Sequence, residues 1–159
     1  MPLPDDLLSL ARHLVKRNPG TPIEADLRRG VSTAYYALFH LLISESTTRI
    51  IALVAMRPRV TRAFDHKDMR KICQVYSAHV APSAPPIPPE IQTIALTFVT
   101  LQDARHQADY DTAITMTYLE ANGYVQEAEI AFAAWATVQT NPAVDPFLTD
   151  LLFQSIRKR

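Results

Sequence analysis

The stretch LRRGVSTAYYALFHLL, residues 27–42, decides how the whole chain is read. Leu27, Val31, Ala34, Leu38 and Leu42 recur at spacings of three and four, the repeat of one apolar helix face rather than of an alternating strand. Beside that stripe runs a mostly polar row: Arg29, Ser32 or Thr33, Tyr36 and His40. Polar groups on a core-like helix need partners, supplied either by facing helices or by a ligand. The segment therefore predicts a helix with one face for the core and a second face for something polar.

Helical spacing continues outward from this segment. With only three glycines and few alternating Val/Ile/Thr runs, the chain favours helices throughout. Upstream, Pro4, Asp5 and Asp6 suit a helix start, and a helix over 5–16 would bury Leu7, Leu10, Ala11 and Leu14. RNPGTP stops it, and Thr21 with Glu24 three residues later reads as a capping box for the next helix, to about Glu45. Residues 46–65 combine β-branched side chains with Pro58 and are expected as broken helix or loop.

Downstream, HKDMRKICQVYSA predicts a short helix burying Met69, Ile72, Cys73 and Tyr76, and APSAPPIPP a stiff polyproline-like connector. A further helix from Pro89 carries Ile91, Ile94, Ala95, Phe98 and Leu101 on its buried side. Another, from about Thr115, would place Leu119, Val125, Ala128, Ile130, Phe132 and Trp135 inside, and a last helix at 142–157 ends in the basic Arg157, Lys158 and Arg159. The fold class is all-α, an antiparallel up-and-down bundle of four to five helices in a single domain over 1–159.

Sixteen basic and sixteen acidic side chains cancel, so any polyanion binding must come from a local patch. The best such patch is 49–71, with seven Lys or Arg residues, Arg57, Arg59 and Arg62 among them, against Asp65 and Asp68. One cysteine, Cys73, excludes an internal disulfide, no secretory leader pattern opens the chain, and no apolar run approaches the roughly 18 residues of a membrane span. A cytoplasmic protein without a membrane partner is expected.

Chemistry is densest in LQDARHQADYD, 101–111. Arg105 and Asp109 lie four apart and share a helix face, as do His106 and Tyr110, rotated by roughly 100°. Single histidines with scattered carboxylates lack metal-ligand spacing, so no metal is expected. Neither a nucleophilic triad nor a phosphate-cradling glycine loop is present, and no cofactor is expected.

Taken together, Ala34-Tyr35-Tyr36-Ala37-Leu38-Phe39-His40 and the later Arg105-His106-Gln107-Ala108-Asp109-Tyr110 resemble the two motifs of the bacterial branch of the HEPN superfamily, over a core of about 25–135. The resemblance implies a helical bundle that commonly forms a homodimer, with the two motif helices facing across a polar cleft. It also implies binding of nucleotide or RNA, or partnership with a small nucleotidyltransferase or antitoxin in a toxin-antitoxin or defence system. The cleft would be formed by Arg29, Tyr36, His40, Arg105, His106, Asp109 and Tyr110, with Arg57, Arg59 and Arg62 as further ligand contacts. One alternative is a metal-independent RNase toxin in which histidine moves a proton and arginine stabilises charge on phosphorus, with Arg105, His106 and His40 as catalytic candidates. The other is a structural dimerisation module whose polar groups are internally paired.

Overall fold

The computed structural model describes residues 2–78 and 86–156. Among these, seven α-helices follow one another: α1 (Leu3–Lys16), α2 (Glu24–Ile50), α3 (Arg57–Thr61), α4 (His66–Ser77), α5 (Pro89–Tyr110), α6 (Tyr118–Val138) and α7 (Asp145–Ile156). Two 3-10 turns, Val54–Met56 and Pro142–Val144, precede α3 and α7, and no strand occurs among the described residues. The all-α reading holds. Seven exceeds the expected four to five; one of the added helices is the short α3 around Pro58, with the proline in the first turn where its missing N–H costs nothing. Most of the proline-rich connector and the terminal Arg157, Lys158 and Arg159 lie outside the described residues.

The chain packs as two compact units, Met1–His40 with Thr97–Ala133 and Leu41–Leu96 with Ala134–Arg159, so α2, α5 and α6 each contribute to both. In the first unit the apolar stripe of α2 (Leu27, Val31, Ala34, Leu38) is buried together with Phe98 and Leu101 of α5 and Val125 and Ala128 of α6. Each such large side chain contributes roughly 2 kcal/mol on removal from water. Gly30 lets α1 approach α2: a Cβ there would stand 2.5 Å from Val15 Cγ2 and 3.2 Å from the Ala11 carbonyl. This contact also selects the buried face of α1. Pro4, Leu8, Ala11 and Val15 face inward, while Leu10, expected inside, is 46 % exposed.

The second unit buries Met69 and Cys73 of α4 against Phe147, Leu148, Leu151 and Leu152 of α7. Tyr76 joins the two helices, its ring 4.9 Å from Phe147 and its hydroxyl donating to Asp150 at 2.7 Å. Burial first, and the neighbouring Asp150 second, push the Tyr76 hydroxyl well above its usual pKa.

Two local expectations change. Glu24 does not close a capping box on Thr21; it begins α2, and its carboxylate accepts from the Met116 N–H at 3.1 Å and from Arg28. On α6 the inward face is Ala121, Val125, Ala128, Ala131, Trp135 and Val138, whereas Leu119 and Ile130 are exposed. Small alanines at the interface permit close helix approach, which an apolarity count alone ranks below leucine and isoleucine.

Candidate functional site

The polar row of α2 is Arg28, Ser32, Tyr36 and His40, at intervals of four, with Tyr35 and Phe39 beside it. It meets the last two turns of α5 antiparallel. Arg28 reaches the carbonyls of Gln107, Ala108 and Asp111; Ser32 donates to Asp109 at 3.0 Å; and the guanidinium of Arg105 lies over Tyr35 and Tyr36. All of these residues belong to the first unit.

Arg105 is the centre of the cluster. Its guanidinium carbon is 5.3 Å from the Tyr36 ring centroid, 5.7 Å from Tyr35 and 6.0 Å from Tyr110. Ring faces at such distances attract a cation, the more so where water is partly excluded, and the Arg105 side chain is only 19 % exposed. Asp109, one helical turn on, accepts from Nε at 3.1 Å, and the same carboxylate oxygen accepts from the buried Ser32. That Nε bond is the only hydrogen bond of Arg105 among the described residues, so Nη1 and Nη2 have no protein acceptor there. A guanidinium held through Nε and by ring faces presents its terminal nitrogens in the fork that matches two oxygens of a phosphate or carboxylate.

Two histidines flank this centre in different settings. His40 lies 6.5 Å from the Tyr36 ring and 5.4 Å from Phe39, half-buried, and that burial lowers its pKa below the usual 6.5. Burial thus favours the neutral imidazole, the form that can accept a proton. His106 is exposed, with its ring 5.1 Å from Tyr110. Helix geometry separates Arg105 from His106, yet both reach the same Tyr110 ring, from i−5 and i−4.

Of the residues singled out from the sequence, Tyr36, Arg105, Asp109, Tyr110 and His106 are thus brought together, and His40 adjoins them through Tyr36. Arg29 is not: it is exposed, one residue and about 100° around the helix from Arg28. Arg57, Arg59 and Arg62 belong to the second unit. Arg57 donates to the carbonyls of Ile51 at 2.9 Å and Thr48 at 3.1 Å, capping the end of α2, while Arg59 and Arg62 are exposed. The basic segment is further diluted because Arg49 pairs with Asp145 at 2.8 Å and Lys71 with Asp68 at 3.1 Å.

The sequence left Ser32 open against Thr33 and did not single out Arg28 or Tyr35. Counting back by four from Tyr36 reaches Ser32 and Arg28, while a step of three and then four reaches Thr33 and Arg29; both spacings keep to one helix face, and the facing helix decides between them. Tyr35 was hidden by its own apolarity, since a fully buried ring reads as core.

No group of three or more His, Cys, Asp and Glu side chains placed to hold a metal ion occurs among the described residues. No helix of the described residues is long and apolar enough to cross a membrane. Compared with models of protein families, with curated proteins and with solved structures, the chain matches none.

Proposed function

We propose that this chain binds the phosphate group of a nucleotide or of RNA at Arg105. The observation that carries the reading is the state of that guanidinium: held by Asp109 and tyrosine rings, with both terminal nitrogens lacking a protein acceptor among the described residues. Purely structural arginines in the same chain look different. Arg28 and Arg57 are taken up by backbone carbonyls, and Arg49 by Asp145 and the Gln139 carbonyl; Arg12, like Arg105, is bonded through Nε alone, to Glu129, but it is more exposed and lacks the tyrosine rings that frame Arg105. Exposed Tyr110 and His106 beside Arg105 offer apolar ring surface to a base. The resemblance of the two motifs to the HEPN superfamily supports the same ligand class. It also supports a homodimer, or a nucleotidyltransferase or antitoxin partner, for which Ile114 and Leu119, 44 % and 80 % exposed, supply apolar contact surface near the end of α5.

A catalytic reading has one observation of its own in favour, the neutral His40 imidazole beside Tyr36, which can accept a proton at neutral pH. One experiment addresses both. Fluorescent single-stranded oligoribonucleotide and ATP are titrated with the protein at several salt concentrations, in chelator. Binding at low salt is expected, Arg105→Ala weakening it at least about tenfold and lowering the salt slope by about one. No binding by the unaltered protein at low salt, or unchanged binding by Arg105→Ala, removes the reading. Cleavage of the RNA in chelator, lost in His40→Gln, converts it to the metal-independent RNase.

A further inference from the structure

The end of α5 poses a problem that the sequence solves in an unusual way. A helix terminus leaves its last four carbonyls without intrahelical partners, and the common remedy is a glycine just beyond the end, in the left-handed conformation. After Tyr110 the chain continues Asp111-Thr112-Ala113, and no glycine follows until Gly123. Beside the backbone bond from the Asp111 N–H to the Gln107 carbonyl, carbonyls at this end are met by one side chain from another helix. Arg28 Nη1 donates to Gln107 at 3.2 Å, Ala108 at 3.0 Å and Asp111 at 2.9 Å, and Nη2 donates to the carbonyl of Ile114 in the connection to α6. Glu24, one turn earlier on α2, fixes that guanidinium, accepting from Nε at 2.9 Å, and with the same oxygen takes the Met116 N–H at 3.1 Å. Two side chains of α2 therefore hold both the last turn of α5 and the connection that follows.

The bonds end where the candidate site begins. Asp109 and Tyr110, two of the groups around Arg105, lie between Ala108 and Asp111, whose carbonyls Arg28 holds. Arg28 is also the first member of the α2 row whose next two members, Ser32 and Tyr36, touch Asp109 and Arg105. The row fixes the register of α2 against α5. Slippage by one turn, about 5.4 Å, would move Arg105 off its tyrosine rings. Fraying of the α5 end would release Asp109 and leave the Arg105 Nε without its acceptor.

We propose that Arg28 and Glu24 are positioning residues for the Arg105 site, a clamp that caps α5 from α2 and so holds Asp109 and Tyr110 in place around the guanidinium. Arg28 acts through the backbone and does not itself touch the ligand, since its Nε, Nη1 and Nη2 already donate to Glu24 and to carbonyls. This rests on the phosphate-binding reading of Arg105 for its functional consequence, though not for its structural one.

The test uses the full chain with Arg28→Gln, Glu24→Gln and Arg105→Ala, and two measurements. The first is binding of the labelled oligoribonucleotide across a salt series. For Arg28→Gln the dissociation constant is expected to rise about tenfold at fixed salt while the salt slope stays that of the unaltered protein, because a misplaced site loses affinity without losing a phosphate contact. A slope lowered by about one would make Arg28 a direct contact and overturn the proposal, as would unchanged affinity. The second measurement is the NMR signal of the Arg105 Nε–H, which its bond to Asp109 protects. It should be sharp in the unaltered protein and broadened or lost in Arg28→Gln with the helical circular dichroism retained. A sharp signal in that variant overturns the clamp, and this readout stands even if the unaltered protein binds no RNA, which would sink the phosphate reading alone. Should Arg28→Gln fail to fold, Glu24→Gln, at a more exposed position, carries both measurements with about a threefold change in affinity expected.

Discussion

The basic segment of the second unit and the Arg105 cluster of the first hold their cations differently. The basic segment 49–71 of the second unit concentrates positive charge in the sequence, yet Arg49, Arg57 and Lys71 are held by a carboxylate, by carbonyls and by Asp68. The first unit has no comparable run of charge. It nevertheless sets one guanidinium among three tyrosine rings with its fork directed at no protein acceptor among the described residues. Charge density along a chain measures how many cations are near in sequence; it does not say which of them fold satisfaction has left available.

Breaking the first unit at its most buried ring should have the largest effect. Tyr35 is fully buried and packs on Tyr36, Phe39 and Phe98, with ring centroids at 5.4, 6.0 and 5.5 Å. Tyr35→Ala is expected to destabilise by about 3–5 kcal/mol, read from chemical denaturation, through lost transfer and the cavity left behind. A loss below about 1 kcal/mol would mean that the ring is not the support beneath Arg105. Next comes Asp109→Ala, which leaves a partly buried guanidinium and the Ser32 hydroxyl without their acceptor. About 2 kcal/mol should be lost, and Ser32→Ala on that background should add little, because both act through one carboxylate oxygen.

The second unit sharpens the contrast at smaller scale. Arg57→Ala removes a cap from the end of α2 and should cost about 1 kcal/mol, whereas Arg59→Ala, at an exposed position, should stay within about 0.5 kcal/mol. If Arg59→Ala and Arg62→Ala together weaken RNA binding as much as Arg105→Ala, the comparison fails and the basic segment is the main contact.

The smallest effect is the pH dependence contributed by His40. Burial lowers its pKa in the folded state below the unfolded 6.5, so between the two values the unfolded chain binds more protons. The stability it contributes is complete above about 6.5 and declines as pH falls toward the folded value, levelling off below it. In His40→Gln that decline should be absent from denaturation curves recorded as the pH is lowered from 7.5 to about 5.

Much of this molecule was legible in its residues, for identifiable reasons. Leu27, Val31, Ala34, Leu38 and Leu42 recur with the helix period over a long segment, and all are buried. The Ile91, Ile94, Ala95, Phe98 and Leu101 stripe of α5 is likewise fully buried. On α1 and α6 the same kind of reading placed Ala11, Val125, Ala128 and Trp135 correctly inside but misplaced Leu10, Leu119 and Ile130, because apolarity alone does not say which side of a broad stripe the neighbouring helix approaches. At the site, Tyr36, Arg105 and Asp109 were recoverable from motif and i,i+4 spacing, which are properties of a single helix.

What the amino-acid order determined alone was helix period, and with it the fold class and the pairing of Arg105 with Asp109 one turn away. What required the tertiary structure was everything that depends on the register between helices: that Ser32 rather than Thr33 meets Asp109, that Arg28 rather than Arg29 caps α5, and that Arg57 is occupied while the Arg105 fork is not. Neighbouring residues on a helix differ by about 100° in direction, so a choice between adjacent arginines is a choice of which helix face has a partner. Only packing makes that choice.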